Sequence, residues 1–280
     1  MDARYNDRFK LRSLGDRIVK LMVIFVYFFL YAPMILLVIT SFNPEEVMRF
    51  PTSGYSLTWY YVFFSDYPML SALLNSLILA TLSSILAAII GTLCALGMVR
   101  GSFVGKKLVN LLIFTPLIVP PVITGLALVL LLHGVGIPRG LAYLIIGHTL
   151  LGLPYVVVVV SAQLYGFPRN LEEAAMSLGA NEVDTFFEIT LPLLKRGIVA
   201  GVMFAFVNSL QEYPASQAWA APSFYTLPIV MYNKIRDQLS PEINVIGVLM
   251  IVIAIILPLA GEYLRGTGHA KAKTAEATQG

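Results

Sequence analysis

Glu212 is the only acidic residue near the middle of any apolar stretch in this sequence, and it sits among other polar groups. Asn208, Ser209, Gln211, Ser216 and Gln217 share its stretch, and at helical spacing Asn208, Gln211, Glu212 and Ala215 fall on one face. An acidic residue at the centre of a membrane helix costs roughly 2.5–3.5 kcal/mol. Such a face should therefore turn toward a bundle interior or a water-filled cavity. A carboxylate there can attract a cationic solute such as an ammonium group. It can equally pair with a polar neighbour on another helix and stiffen or gate the bundle. His148 interrupts a second apolar stretch, where it can bond Asn75 or a backbone carbonyl freed near a proline.

Other chemistry lacks its residues. The three histidines and one cysteine are scattered without metal-ligand spacing, so no metal or other cofactor is expected. Gly101-Ser-Phe-Val-Gly105-Lys106-Lys107 has one residue too few between its glycines for a phosphate-binding loop. It also lacks Ser or Thr after the lysine and follows an apolar helix rather than a strand. No enzyme is expected, and any ATP hydrolysis must belong to a separate partner.

The elements that must position these residues are membrane helices. The 280 residues are 58% hydrophobic and 12% charged, far below the charge of a soluble domain. A formal charge of +3 gives no support for nucleic-acid binding. Six apolar segments, near Ile18–Phe42, Ala72–Val99, Leu108–Leu132, Leu141–Leu164, Gly197–Ala221 and Ile243–Leu264, approach or exceed the roughly 20 residues that cross a bilayer. With no water to satisfy the backbone, they should be helices, so the fold expected is all-α and polytopic. Prolines 116, 120 and 121 should break or kink the third. The first segment is too long for a cleaved signal peptide and no small-x-small site precedes Asn43, so it reads as an uncleaved helix.

Fifteen Lys and Arg residues fall on one side of these segments and four (Arg49, Arg139, Lys234 and Arg236) on the other. The positive-inside rule then puts both termini in the cytoplasm. The sequence divides into a cytoplasmic segment 1–17, a first helix with an external interfacial segment 18–70, a transmembrane domain 71–264, and a disordered tail 265–280. Tyr55, Trp59, Tyr60, Tyr61, Phe63 and Phe64 suit a short surface helix, started by Ser56 or Thr58, that anchors at the interface or meets an external partner. Gly197-Ile-Val-Ala-Gly201 fits close helix contact.

The remaining ordered polar segment, 166–196, lies on the cytoplasmic side. Asn170 and Glu173 have capping-box spacing, and Leu171, Ala174, Ala175 and Leu178 form one apolar stripe. Gly179 suits a left-handed helix end. Asn181 can cap a second helix carrying Val183, Phe186 and Phe187, which Pro192 should stop. Two caps and two stripes in one loop describe a surface built to dock another protein.

Glu173-Ala174-Ala175, three residues, Gly179, nine residues, Ile189, one residue and Leu191-Pro192 resemble the EAA loop of ABC importer membrane subunits. Arg196 departs from the pattern, standing where many members carry a second proline. Asn75-Ser76, Pro116 with Pro120-Pro121, and His148 with Pro154 agree with the same family, and Thr226-Leu227-Pro228, followed by Tyr232 and Arg236, resembles its spermidine/putrescine-type branch, which also takes in importers of iron, phosphonates and opines. The resemblance implies a type I importer permease in a bacterial inner membrane, with Glu173, Ala174, Ala175, Gly179, Phe186, Phe187, Leu191 and Pro192 at the ATPase contact. It further implies a second, related permease subunit, an external solute-binding protein and an acidic path residue at the place of Glu212; the polar groups within the spans add Asn75, His148, Asn208 and Gln211 to the candidate path. A polyamine is the first choice of cargo. An ion-coupled secondary carrier is the competing class, but the matched repeats and broken helices of such carriers are not evident.

Overall fold

Apolar stretches this long can satisfy their backbone only internally, and the described residues are mostly helical. The computed structural model describes residues 3–47, 51–237, 240–256 and 259, with side chains from residue 16. In chain order the helices are α1 (Ala3–Thr40), α2 (Thr58–Ser65), α3 (Tyr67–Arg100), α4 (Lys106–Ile118), α5 (Pro121–Gly134), α6 (Leu141–Gly166) and α7 (Asn170–Ser177). There follow α8 (Glu182–Thr185), a π-helical turn Phe186–Thr190, α9 (Leu191–Gln211), α10 (Ser216–Trp219), α11 (Leu227–Asp237) and α12 (Glu242–Ile256). Among the described residues there is no strand, only an isolated bridge between Ala221 and Phe224. The tail expected to be disordered, 265–280, lies outside them.

The chain divides into two compact units. The first contains residues 1–65 and 237–248. In it the amide of Asn244 donates to the Thr40 hydroxyl at 3.0 Å, and Leu37 packs over Gly247. The aromatic segment forms the short α2, with the Ser56 hydroxyl accepting from the Thr58 backbone N–H at 3.1 Å. Phe63 is buried, while Tyr55, Tyr61 and Phe64 are exposed.

The second unit contains residues 66–236 and 249–280, and its centre is the trio α3, α6 and α9. Gly91 meets Val156, Ser83 meets Thr149, and Arg100 meets Phe167, so α3 and α6 run parallel. Gly201 meets Val156, Gly152 meets Ala205, and His148 meets Ser209, so α9 runs antiparallel to both. Small residues allow this approach. A Cβ on Gly91 would stand 2.8 Å from Val156, and one on Gly201 would stand 3.1 Å from the Val156 backbone. The expected role of Gly197 and Gly201 is seen here, with Gly197 packed against Gln163.

Among the described residues, four helices are long and apolar enough to cross a membrane: Asp16–Thr40, Tyr67–Arg100, Leu141–Gly166 and Glu182–Gln211. The third expected segment is split into α4 and α5, bent by 117°. Pro120 and Pro121 lack N–H groups, and a residue before proline is driven out of the helical region. Val119 and Pro120 accordingly have ψ of 130° and 134°. Because α3 and α6 are parallel, α4 and α5 together carry the chain from one end of the bundle back to the other.

The fifth expected segment is shorter than its apolar run. Helix α9 ends at Gln211, not Ala221, because Glu212 is extended (ψ 119°) and Pro214 cannot continue the hydrogen-bond ladder. Over the described residues α12 is apolar but shorter than a span; residues 257, 258 and 260–264 of the sixth expected segment lie outside the description.

Pro192 does not stop the second loop helix, as its sequence position suggests. The π-turn passes into α9, and the whole of Glu182–Gln211 is one apolar helical run. The Leu191 N–H reaches back five residues to the Phe186 carbonyl, and this wider turn, with Pro192 in the first turn of α9, accommodates the missing donor.

Gly147 tests the packing at the other end of α6. A Cβ there would stand only 2.3 Å from the Trp219 ring. Gly147→Ala should destabilise the protein by about 1–3 kcal/mol, read as a lower midpoint in thermal unfolding of the detergent-solubilised protein.

Candidate functional sites

Two polar sites lie at opposite ends of the α3–α6–α9 trio. At one end His148 is buried between α6, α9 and α10, its Nδ1 2.7 Å from the Ser209 hydroxyl and its Nε2 2.8 Å from that of Ser216. Ser209 continues to Ser83 at 3.1 Å, and the Ser216 hydroxyl donates to the Glu212 carbonyl at 3.0 Å. Trp219 stands edge-on to the imidazole and donates its indole N–H to the Gly125 carbonyl at 2.9 Å. This network ties α3, α5, α6, α9 and α10 together through side chains that have few other partners in hydrocarbon.

His148 therefore does not bond Asn75. The Asn75 amide donates to the Tyr225 carbonyl at 3.1 Å, and the Ser76 hydroxyl accepts from the Leu227 N–H at 2.8 Å. The expected pairing fails because both histidine nitrogens are already committed to α9 and α10. Asn75 and Ser76 instead pin the segment around Thr226-Leu227-Pro228 against α3.

Glu212 lies at the break between α9 and α10. Its carboxylate Oε1 accepts from the Ala215 N–H at 2.8 Å, so it steadies the reversal of the chain after Gln211. The expected continuous face is thus divided: Asn208 and Glu212 reach one cavity, Gln211 is exposed, and Ala215 is buried against Gly125. That cavity, about 200 Å³, is bounded by the Pro116–Pro121 break together with Leu151 and Tyr155 of α6. A larger one, about 720 Å³, opens nearer the loop end between α4 and α6, with Val158, Ser161, Phe114, Lys106 and Lys107 in its wall. Leu151, Tyr155 and Val158 follow one stripe of α6, so both cavities lie along the same α4–α6 groove.

The other end carries the loop. Helix α7 begins without the expected cap: Arg169 occupies the capping position in a helical conformation, and Asn170 is already inside the helix. Glu173 pairs with Arg169 at 3.3 Å, both well exposed. Gly179 has φ +100°, the left-handed turn its position requires. Asn181 caps α8 through its side-chain oxygen, 2.8 Å from the Asp184 N–H. The apolar stripe faces outward, with Leu171, Leu178, Val183 and Phe187 at 45%, 91%, 62% and 59% exposure. Ala174 is exposed and Ala175 half-buried, while Phe186 and Phe187 meet edge to face at 5.0 Å. Leu191 is half-buried and Pro192 exposed at the entry to α9.

Sequence reasoning missed Glu172. It is the buried residue of α7, with Oε2 3.1 Å from Arg100 Nε and Oε1 accepting from the Thr190 hydroxyl at 2.9 Å. The signal available was Arg100, a cation ending a long apolar helix, beside two successive glutamates that must point about 100° apart on α7.

The model of the binding-protein-dependent transport system inner membrane component family matches residues 87–264. The chain belongs to this family. Its relatives include the putrescine transport system permease protein PotI of Escherichia coli strain K12, 38% identical over 89% of this chain and 90% of that protein. The spermidine/putrescine transport system permease protein PotC of the same strain is 31% identical over 85% of this chain and 90% of its own length. Among solved structures, a bacterial ABC transporter that imports alginate superposes with a TM-score of 0.73 at 18% identity, covering 93% of this chain and 98% of that one. An inward-facing MetNI methionine ABC transporter gives 0.60 at 18% identity over 71% and 97%. These two likenesses show the fold.

His148→Leu leaves the Ser216 hydroxyl with one partner fewer and removes the bridge from Ser209 to α10. It should destabilise the protein by about 1–3 kcal/mol, seen as a lower thermal midpoint, with Ser83→Ala distinctly milder.

Proposed function

We propose that this chain is the permease subunit of an ATP-driven importer of polyamines, putrescine first, working beside a second, related membrane subunit. An external binding protein delivers the solute, and a separate cytoplasmic ATPase supplies the energy. The observation that carries the coupling half is the outward apolar face of α7 and α8, carried on a loop bonded to the bundle ends. Arg100, Lys106, Lys107, Arg169, Lys195 and Arg196 gather at that same end, which supports a cytoplasmic loop and, with six crossings, both termini inside. The Glu173, Ala174, Ala175 and Gly179 surface, with Phe186, Phe187, Leu191 and Pro192 behind it, is the proposed seat of the ATPase.

The cargo half rests on the relatives' substrates and on Glu212. A carboxylate facing a cavity beside Asn208 offers an ammonium group a charge partner that water cannot fully screen. The lysines at the loop end of the groove repel a cation, so binding is strongest near Glu212 and falls toward the cytoplasm. ATP binding closes the ATPase pair, the loop passes that closure to the bundle, and the groove alternates between outward and inward access.

Two measurements test these halves. Glu212→Gln keeps an acceptor for the Ala215 N–H and removes the charge, so the KM for putrescine uptake should rise about tenfold or more, one unit charge at short range being worth well over 1 kcal/mol. An unchanged KM removes the cation-site assignment. Glu173→Lys should abolish uptake while the subunit still inserts and assembles; wild-type uptake in cells carrying it removes the docking assignment.

A further inference from the structure

Helix α7 has eight residues, too few to hold its own place or to stay helical unaided. It hangs between two joints: Phe167-Pro168-Arg169 on one side, with Phe167 extended (φ −119°, ψ 140°), and the left-handed Gly179 on the other. Apolar packing does not anchor it, because Leu171, Met176 and Leu178 are all exposed. Its buried residue is the charged Glu172.

Both oxygens of that carboxylate are used. One is ion-paired with Arg100 at the end of α3, 3.1 Å from Nε though without the angle of a hydrogen bond, and the other accepts from the Thr190 hydroxyl in the π-turn that leads into α9. Arg100 also donates from Nη2 to the Phe167 carbonyl at 3.4 Å and lies 4.9 Å over the Phe167 ring, which brings in the end of α6. One ion pair thus gathers α3, α6, α7 and the entry to α9. Of these, α3, α6 and α9 also carry the second polar cluster, Ser83, Thr149, His148 and Ser209, farther along the bundle from the pair.

We infer that the Arg100–Glu172 pair is a strut that makes α7 move as one body with the ends of α3, α6 and α9, and that Glu172 is a positioning residue for energy coupling. The inference rests on the reading that the loop docks an ATPase. Glu173 and the apolar face receive the push, and Glu172, 100° around the same helix, delivers it to the bundle. With the strut gone, displacement of α7 is absorbed at the Phe167–Arg169 and Gly179 joints. ATP is then hydrolysed without movement of the groove.

The test uses the complete transporter in proteoliposomes with putrescine-loaded binding protein, measuring uptake and ATP hydrolysis in the same vesicles. In Glu172→Gln, putrescine moved per ATP should fall at least tenfold while the complex assembles and hydrolyses ATP. The exchange Arg100→Glu with Glu172→Arg should recover part of that ratio. Amide hydrogen exchange in Glu172→Gln should rise in α7 and stay protected in α3 and α6. An unchanged ratio, or no gain from the exchange, overturns the inference. Lost protection throughout α3 and α6 also overturns it, because the pair is then a general stabiliser. Glu173→Lys in parallel separates the two readings: if it abolishes uptake while Glu172→Gln stays coupled, only the strut fails. If both stay coupled, docking fails too.

Discussion

The close approach of α6 to α3 and α9 is the contact on which the other features depend. It is made by glycine and alanine: Gly91 on α3, Gly152 on α6, Gly201 and Ala205 on α9, all around Val156 and its neighbours. Lipid tails are as apolar as leucine, so greasy surface alone does not hold membrane helices together; close van der Waals fit and buried hydrogen bonds do. Removing Cβ atoms along the seam lets the backbones meet. The polar groups at either end then fall within bonding distance of one another.

Those end groups differ in kind. At the end holding His148 the network is of neutral hydroxyls and an imidazole, short and buried. At the loop end it is a charged pair, placed where the helices emerge. A largely buried ion pair is costly to form and more costly to leave half-made, which suits a junction that must keep one geometry. Between the two ends runs the α4–α6 groove, opened by the proline break that turns α4 away from α5.

Much of this was legible in the residues. The helical class, the α3 and α6 spans, the α4–α5 break, the glycine seam of α9, the Gly179 turn and the Asn181 cap all follow from local chemistry. The errors have one source. Asn170 has the right spacing for a cap but lies one residue inside the helix, because Arg169 is already helical. Pro192 has the right character for a stop, yet a π-turn absorbs it. His148 and Asn75 are plausible partners on two helices, but α9 and α10 reach the imidazole first.

By itself the sequence determined what each stretch must be: where backbone bonds close locally, where proline and glycine interrupt them, and which loop carries an unpaired apolar stripe. Only the tertiary structure decided which polar group meets which. Asn208 and Glu212 came to one cavity while Gln211 turned outward, and Glu172 rather than Glu173 was drawn inside. Periodicity places a residue on a face of its own helix. Which neighbour covers that face depends on the register and direction of another helix, and no local pattern in the chain records that.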